Sequence, residues 1–398
     1  MSREPCPGRA ERRGRLFGAI EAVHSASVSD ANQSYDVAVL GGGPAGAAAA
    51  ALLAESGART LLVEQADGSA FKVGEGLPPA AKPLLRDLGV WDGMADGGHL
   101  KSHGNESAWG QATLVSTQFL HDPHGSGWHL DRARFDALLR DVARRAGAQV
   151  NMSTSVRKAI RCATGWQLTV EARGRQLDFS AGWLIDCTGR RALAAREMGA
   201  TRHSDDRLVA FVSVYRSPAD RGGVDLDSMT LVESAPDGWW YTSRLPSGDR
   251  VVVYLTDTHD ASARAAATPR GFGELLERTI HVRTRLAAHR YAADGPPQIV
   301  AADTSRLDRV EGDGWLAAGD AAASFDPLSS QGILTALYSG RRGATSLLQH
   351  LHGDSTALSN YGARIHSIYT AYLAHRQEYY GQERRWPTHA FWQRRHGR

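Results

Sequence analysis

Cysteine is scarce in this sequence, since only Cys6, Cys162 and Cys187 occur among 398 residues. The three lie far apart and form neither a Cys-x-x-Cys pair nor a metal-binding spacing with histidine. This pattern argues against a disulfide framework and against a metal site. We therefore predict reduced thiols, no bound metal and a cytoplasmic location.

Long apolar runs and an excess of one charge are also missing. No run approaches the roughly 20 apolar residues that a membrane-spanning helix needs, so we expect no membrane span. The 46 basic and 43 acidic residues give a formal net charge of +3, which is too balanced to indicate a nucleic-acid partner. With 42% hydrophobic and 22% charged residues, the composition is that of a globular protein with a large core.

A glycine-rich turn stands out between two predicted strands. Apolar residues 37–40 predict a buried strand, an alanine-rich helix follows the turn, and a second strand, 60–63, ends at Glu64. In such an arrangement a pyrophosphate binds at the turn and at the helix N-terminus, and the acid binds ribose hydroxyls. The whole pattern favours dinucleotide binding over a purely structural turn. The candidate contacts are Glu64 and the turn residues Gly41, Gly43, Pro44, Ala45 and Gly46.

Two later strands end in short acid-and-glycine sequences. Residues 182–190 end in Asp-x-Thr-Gly at Gly189, and residues 315–320 end in Gly319-Asp320. Ligands bind at the carboxyl edge of a parallel sheet, so we place these ends at the cofactor, with Asp320 on sugar or ribityl hydroxyls. A long helix is predicted to begin near Ser330. Its N–H groups around Gly332 and Ile333 would stabilise a developing negative charge.

Other cofactor candidates are less determined by the sequence. Glu75 lies in a glycine- and proline-rich loop that either borders the cofactor or only connects to the next helix. Arg132, at the head of a predicted helix, either reaches the pyrophosphate or is solvated. Val156 ends the next predicted strand, 148–156, of the dinucleotide-binding sheet, and we count it among the cofactor contacts.

Residues 206–257 predict an antiparallel meander with turn signals between its strands. Trp239, Trp240 and Tyr241 are adjacent on one of these strands. Neighbouring strand residues face opposite ways, so at least one ring should face the inner side of the sheet. Packing in the core is the alternative for each single tryptophan. We predict that Trp240 and Tyr241 contact a flat aromatic substrate.

Taken together, these motifs resemble the FAD-dependent monooxygenases of the para-hydroxybenzoate hydroxylase fold. The resemblance covers residues 35 to about 352. It is closer to the branch that contains tryptophan halogenases and geranylgeranyl reductases. Within that branch, one subgroup is the maturation flavoproteins of lysine- and glycine-oxidases, which are thought to hydroxylate a tryptophan of a partner protein. The likeness to this subgroup rests on Val73-Gly74-Glu75, Ser107-Ala108-Trp109-Gly110, His129-Leu130-Asp131-Arg132 and Glu383-Arg384-Arg385-Trp386-Pro387.

The resemblance implies an α/β fold in which a Rossmann-like FAD-binding domain is interleaved with an antiparallel substrate domain, followed by a helical C-terminus. We predict an N-terminal extension at 1–34, a first FAD-binding part with inserted strands at 35–205, and a second FAD-binding part at 301–353. The antiparallel substrate domain is expected at 206–300 and a C-terminal helical cap at 354–398. In the tail, aromatic and basic residues alternate, and packing is favoured there over nucleic-acid binding. The pair Arg12-Arg13 is compatible with a twin-arginine signal, but the region after it is a poor apolar segment.

The sequence departs from the halogenases in ways that favour hydroxylation over halogenation. Their catalytic lysine lies a few residues before a tryptophan, whereas residues 105–109 contain none and Lys101 is a doubtful substitute. The residues that correspond to their Glu, Ser, Thr and Gly are Ser329, Ser330, Gln331 and Gly332, so both the acid and the threonine are missing.

The resemblance therefore implies an FAD-dependent monooxygenase that hydroxylates an electron-rich aromatic ring through a flavin C4a-hydroperoxide, with O2 as co-substrate. The substrate is an aromatic small molecule or a tryptophan, either free or in a peptide or protein. NAD(P)H or a partner flavin reductase supplies the electrons. Glu75, His129 and Asp326 are the catalytic candidates near the expected flavin ring. A flavin-dependent halogenase and a geranylgeranyl-reductase-like reductase of C=C bonds are the alternatives.

Overall fold

The structure is a computed structural model, and it describes residues 33–217 and 225–397. The predicted N-terminal extension therefore lies outside the described residues, except for Gln33 and Ser34, which begin the first strand. In these two stretches no helix combines the length and the apolar character that crossing a membrane requires. Nor do His, Cys, Asp and Glu side chains of the described residues form a group of three that could hold a metal ion.

The first half of the described chain contains strands β1 Gln33–Leu40, β2 Thr60–Val63, β3 Gly76–Leu77, β4 Leu100–Ser102, β5 Gly104–Ala108, β6 Val115–Gln118, β7 Gly127–His129, β8 Gln149–Asn151, β9 Thr154–Cys162, β10 Gly165–Ala172 and β11 Arg175–Asp186. The second half contains β12 Arg202–Ser204, β13 Leu208–Arg216, β14 Met229–Ala235, β15 Gly238–Arg244, β16 Arg250–Asp257, β17 Ala292–Ala293, β18 Gln298–Ala301, β19 Ser305–Leu307, β20 Glu311–Gly312, β21 Trp315–Ala317 and β22 Ala323–Ser324.

The α-helices of the same residues are α1 Pro44–Glu55, α2 Lys82–Asp87, α3 Trp91–Asp96, α4 Arg132–Arg145, α5 Leu193–Glu197, α6 Ala261–Ala266, α7 Pro269–Leu276, α8 His281–Ala288, α9 Gly332–Leu351, α10 Ala357–Gln382 and α11 Ala390–His396.

The first large sheet has the strand order β20-β21-β11-β1-β2-β8, and β10 and β9 extend it from β11. Its central pairs are parallel, with Val39 opposite both Leu62 and Ile185. All three side chains are fully buried, as expected for strands covered on both faces. This is the predicted Rossmann-like sheet. The predicted strand 148–156 is two strands, β8 and β9, separated at Ser153, which has a left-handed φ of 51°.

The second large sheet has the order β17-β13-β16-β15-β14-β5-β6, with β18 on β13. Strands β14 to β16 form an antiparallel meander as predicted, whereas β13 pairs with β16 and not with β14. The sheet is nevertheless mixed, because β14 and β5 pair in parallel. Strands β5 and β6 come from the 35–205 range, which we predicted as FAD-binding with inserted strands, and both belong to the second sheet.

Helices α1 and α9 pack closely on the first sheet. A Cβ atom on Gly340 of α9 would lie 2.1 Å from the carbonyl oxygen of Ala45 in α1, so only glycine permits this approach. At the C-terminus, α10 and α11 bury Tyr380, Phe391 and Trp392 in one apolar cluster with Trp239 and Val251 of the second sheet. The tail therefore packs as a helical cap, which agrees with the interpretation favoured from the sequence.

Candidate active site

The turn after β1 has a backbone conformation that only glycine permits at Gly41 and Gly46. Gly41 has a φ of 105° and donates its N–H to the carbonyl oxygen of Val63 at 2.8 Å. A Cβ atom there would lie 2.2 Å from the Cys187 carbonyl oxygen, and a Cβ atom on Gly46 would lie 1.8 Å from that of Gly41. By contrast, a Cβ atom on Gly43 would meet nothing within 4 Å. Open space therefore lies in front of the N-terminus of α1, where a pyrophosphate is expected.

Glu64 lies at the end of β2 and is almost fully buried. Its Oε2 accepts a hydrogen bond from the Gly42 N–H at 2.6 Å, and its Oε1 accepts one from Ala66 at 2.8 Å. The carboxylate therefore fastens the glycine turn to the second strand. Each oxygen has a further lone pair, so the predicted contact with ribose hydroxyls stays possible in this geometry.

Arg140 is a neighbour of the turn that the sequence did not reveal. The side chain is buried, and it donates to the Gly42 carbonyl oxygen at 3.2 Å. The two residues are 98 positions apart in the chain. The nearest sequence signal is the position of Arg140 on the buried face of α4, beside Phe135, Asp136 and Leu139.

A cavity of about 520 Å³ runs from the glycine turn to the second sheet. It brings together most of the predicted cofactor residues, namely Gly43, Pro44, Ala45, Arg132, Gly189, Gly319, Asp320, Gly332 and Ile333. Val156 lies outside it, on β9, where it pairs with Val170 of β10. The contact of Val156 with the cofactor stays a prediction, because Gly41, Gly46 and Glu64 lie outside this cavity as well.

Asp320 faces this cavity from the segment that follows β21. Burial raises the pKa of the Asp320 carboxyl, and the nearby guanidinium groups of Arg190 and Arg202 oppose that rise. Arg202 also donates to the backbone carbonyl oxygens of Asp320 and Ala321 at 2.8 and 2.7 Å. Arg202 thus fixes the backbone at Asp320, and the Asp320 carboxyl faces the cavity, where hydroxyl groups of a ligand can reach it.

Helix α9 points its N-terminus into the cavity at Gly332 and Ile333. Its first turn carries no acidic residue, so the positive end of the helix dipole is not compensated there. Ser330, just before the helix, adopts a left-handed φ of 51° and also lines the cavity. This end of the cavity is suited to a group that becomes negatively charged.

The structure fits bound FAD on these observations. The open space at Gly43 would receive the pyrophosphate, Asp320 would hold ribityl hydroxyls, and the N-terminus of α9 would face the isoalloxazine ring. Arg132 is committed to the loop before Glu75, because it donates to the carbonyl oxygens of Val73 and Gly74 at 2.8 and 3.2 Å.

Glu75 lines the cavity at the point where that loop enters β3. It is 4% exposed, and its Oε1 accepts a hydrogen bond from the Ser243 hydroxyl at 2.5 Å. Its Oε2 has no hydrogen-bond partner among the described residues. Burial raises the pKa of the Glu75 carboxyl, against smaller opposing effects from Ser243 and Arg132. Burial thus shifts this carboxyl towards its protonated form beside the cavity.

His129 is fully buried and is not among the residues that line the cavity. Its Nε2 is 3.0 Å from the Thr230 hydroxyl, which does line the cavity. Its Nδ1 has no partner among the described residues. Burial and the nearby Arg250 guanidinium lower the pKa of His129 to about 4. The imidazole is thus neutral, and Thr230 lies between it and the cavity.

Asp326 borders the cavity, but its carboxyl is already engaged. Its Oδ2 accepts a hydrogen bond from the Tyr380 hydroxyl at 2.6 Å, and its Oδ1 accepts one from the Leu328 N–H at 2.9 Å. Arg376 lies 3.7 Å from Oδ2. Burial raises the pKa of the Asp326 carboxyl, and Arg376 opposes that rise. These contacts attach the loop before α9 to helix α10.

The adjacent aromatic residues of β15 divide between the two faces of the second sheet. Trp239 and Tyr241 line the cavity. Trp240 faces the other way and packs on Tyr254 and Phe272, with ring centroids 4.6 and 5.1 Å away. The structure thus places the substrate candidate Trp240 outside the cavity and puts Trp239 there instead.

Small aliphatic side chains form the rest of this wall, and the sequence did not single them out. They belong to β13, β14, β16 and the segment from β18 onwards, and they are Ala210, Val212, Val232, Val253, Val300, Ala301 and Ala302. The available signal was alternation along these strands, which groups residues by face. Lysine is absent from the described residues that line the cavity, and Lys101 is exposed on β4.

The comparisons with known proteins agree with this geometry. The family model described as an FAD binding domain matches residues 34–375. LodB of Marinomonas mediterranea, named as an FAD-dependent oxidoreductase, is 29% identical over 369 residues, which cover 92% of this chain and 97% of LodB. The crystal structure of CmlS, a flavin-dependent halogenase, has a TM-score of 0.80 and 24% identity over 91% of this chain and 68% of that one.

A further solved structure is QhpG, described as a peptidyl tryptophan dihydroxylase essential for tryptophylquinone cofactor biogenesis. It has a TM-score of 0.69 and 24% identity over 91% of this chain and 79% of that one. The α/β fold and the predicted use of FAD are confirmed by these findings. Since the family model spans most of the chain, this protein belongs to the FAD-binding domain family of FAD-dependent oxidoreductases.

Proposed function

We propose that this protein is an FAD-dependent monooxygenase that hydroxylates an electron-rich aromatic ring, with a tryptophan of a peptide or protein as the substrate. When bound, reduced flavin supplies the activation of O2, and the protein supplies orientation and exclusion of water. NAD(P)H or a partner flavin reductase delivers the electrons. The proposal is supported by the similarity to QhpG, described as a peptidyl tryptophan dihydroxylase, and to LodB, named as an FAD-dependent oxidoreductase. It is also supported by the lining of the cavity.

The observation that carries the proposal is the composition of the cavity wall opposite the N-terminus of α9. Trp239 and Tyr241 present two aromatic rings there, and apart from Thr230 the remaining lining from the second sheet is small and aliphatic. A flat aromatic ring fits such a surface, since aromatic pairs gain energy from stacked or edge contacts. A charged or highly polar substrate would lose its hydration without replacement contacts.

Of the three catalytic candidates, Glu75 fits this role best. It lines the cavity, burial favours its protonated form, and its Oε2 lacks a partner among the described residues. A ring N–H of the substrate would complete that hydrogen bond and orient the ring. His129 and Asp326 act at a distance, since His129 contacts Thr230 and Asp326 fixes the loop before α9.

Halogenation is the second candidate, because CmlS shares the fold and is a halogenase. The lining of the cavity favours hydroxylation over it. The described lining residues include no lysine, and the resemblance to halogenases requires one near the reacting ring. The missing glutamate in the loop at Ser329 points the same way.

The decisive experiment supplies the purified FAD-loaded protein with reduced flavin, 18O2 and a tryptophan-containing peptide, with chloride or bromide present. We expect mass spectrometry to show an oxygen atom from 18O2 on the tryptophan. A halogenated ring without added oxygen would establish the halogenase instead. A parallel reaction offers an isoprenoid with C=C bonds in place of the peptide, and reduction of such a bond, with no oxygen incorporated in either reaction, would establish the reductase.

A peptide in which phenylalanine replaces tryptophan is the matched control for the substrate. We expect it to stay unmodified. Oxygen incorporation into free tryptophan but not into the peptide would retain the hydroxylase and exclude the peptide substrate. Single-turnover reduction by NADPH, compared with reduction by an added flavin reductase, identifies the electron donor.

A further inference from the structure

Aromatic rings form a continuous row from the cavity wall to the protein surface. Tyr241 lines the cavity, and its ring centroid is 6.2 Å from that of Trp239. Trp239 is 6.1 Å from Trp109, and Trp109 is 5.4 Å from Trp392. Trp392 stacks on Trp386 at 6.0 Å with an interplanar angle of 26°. We call these five residues the aromatic row.

Exposure changes along the row. Trp239 and Trp392 are 1% and 0% exposed, respectively. Trp386 is half-buried at the start of the C-terminal segment. Trp109, between the two buried rings Trp239 and Trp392, is half-buried as well. The row therefore begins at the cavity, contains two fully buried tryptophans, and reaches solvent at Trp109 and again at its outer end, Trp386. Rings in van der Waals contact along such a path couple electronically, because their π-systems touch.

Tyr380 joins the row from the side and provides a place for a proton. Trp239 donates its Nε1–H to the Tyr380 hydroxyl oxygen at 3.0 Å, and the Tyr380 hydroxyl donates to Asp326 at 2.6 Å. The Tyr380 ring also lies 5.6 Å from Trp109 and 6.0 Å from Trp392. If Tyr380 loses an electron, its proton can pass to Asp326 along an existing hydrogen bond.

The cations beside the row are paired with carboxylates. Arg385 lies over the Trp386 ring at 4.3 Å, and it binds Glu383 with its Nη2 at 2.7 Å. Arg395 lies over the Tyr380 ring at 5.0 Å and binds Asp257. An unpaired guanidinium would strongly disfavour a positive charge on the adjacent ring, and the ion pairs reduce that effect.

We propose that the aromatic row conducts single electrons from the surface at Trp386 to the cavity. A one-electron oxidant in the cavity takes an electron from Trp239. The oxidant is an excited oxidised flavin or an oxygen-derived radical left by an unproductive turnover. Electrons then pass from Trp109, Trp392 and Trp386 in turn. Trp386 loses its indole proton to water and is reduced again by a thiol in solution.

This function would remove oxidising equivalents from the cavity before they damage it. It rests on bound FAD and not on hydroxylation, so the two proposals can fail separately. The row also packs the C-terminal cap, and packing alone would explain its burial. Packing does not require the outer ring, Trp386, to exchange electrons with the inner ring, Trp239, and this difference can be measured.

The test uses the FAD-loaded protein with its flavin oxidised, pulsed blue light and transient absorption. In the wild type we expect a reduced flavin radical together with a tryptophan radical that outlives direct recombination. Trp386→Phe should keep the initial quenching of the flavin and lower the yield of the long-lived tryptophan radical, because only the half-buried Trp109 then reaches solvent. Trp239→Phe should slow the initial quenching itself. Trp91→Phe, which changes a half-buried tryptophan outside the row, should behave as the wild type.

Two results would overturn the proposal. One is a long-lived tryptophan radical of equal yield in Trp386→Phe and in the wild type. The other is complete recombination in the wild type without any tryptophan radical. If Trp239→Phe fails to bind FAD, Trp386→Phe alone decides, since it changes only the outer end of the row. An added thiol should shorten the radical lifetime in the wild type, because the thiol can reach and reduce half-buried Trp386.

Discussion

The two ends of the cavity are built by different means. At the cofactor end, the turn at Gly41 to Gly46 and the N-terminus of α9 offer backbone N–H groups and open space. At the substrate end, strands of the second sheet offer side chains, with Trp239 and Tyr241 among aliphatic residues. A site built from backbone N–H groups requires glycines at fixed spacing, and that spacing can be recognised in the sequence. A site built from strand side chains depends on which face of the sheet each residue lies on, and the sequence indicates this less clearly.

The glycine turn gives the largest expected effect and the sharpest test of this comparison. Gly41→Ala should abolish FAD binding and folding of the first sheet. The left-handed φ alone costs about 1–2 kcal/mol, and the new Cβ would lie 2.2 Å from a backbone carbonyl oxygen. Gly43→Ala is the matched control. Its φ of −74° suits alanine and nothing lies within 4 Å.

We expect Gly43→Ala to fold with wild-type thermal stability as apoprotein and to bind FAD more weakly, because the methyl group occupies the space of the pyrophosphate. Thermal unfolding of the apoprotein and titration with FAD measure the two effects separately. Wild-type FAD affinity in Gly43→Ala would contradict the placement of the pyrophosphate at this turn.

The aromatic strand at the substrate end gives the next largest effect. Trp240→Ala should lower the free energy of unfolding by about 3–5 kcal/mol, as expected for truncation of a buried tryptophan. Since Trp239 is equally buried, alanine variants of the two residues do not separate their roles. The milder variants Trp239→Phe and Trp240→Phe do separate the roles of the two residues. Only Trp239→Phe should change the KM for an aromatic substrate, and a larger change in Trp240→Phe would mean that the faces are exchanged.

His129 carries a pH dependence whose sign follows from its burial. Its pKa in the folded protein is about 4, below the ordinary 6.5, so the unfolded chain takes up the proton first. Stability from this residue is present above pH 6.5 and is lost as the pH falls towards 4. The loss approaches about 3 kcal/mol, at 1.36 kcal/mol per pKa unit. His129→Gln should flatten the decline in melting temperature over this range, and parallel curves for the two proteins would contradict a neutral buried imidazole.

The sequence was sufficient for the central parallel strands of the first sheet, the glycine turn and both later strand ends, because each has a local pattern that the backbone conformation requires. It was insufficient where contacts join distant segments. Arg140 reaches Gly42 across 98 positions, and β5 joins β14 in parallel although more than 100 residues separate them. Alternation along β15 predicted that neighbours face opposite ways, but not that Trp239 faces the cavity. That choice is made by tertiary packing, because Phe272 of α7 covers Trp240 from the other side.

Glu75 gives the smallest expected effect on stability, and it lies where the two ends of the cavity meet. Burial raises the pKa of its carboxyl above 4.5, so the folded protein retains a proton that the unfolded chain releases. Its contribution to stability is therefore full below pH 4.5 and is lost as the pH rises through the folded pKa.

Glu75→Gln has the same shape, and its amide oxygen can still accept from Ser243, but it cannot ionise. The difference in melting temperature between Glu75→Gln and wild type should shift in favour of the variant as the pH rises. Because glutamine cannot release a proton, a pH-independent difference would mean that Glu75 titrates normally. The proposed catalytic role would then lose its physical basis.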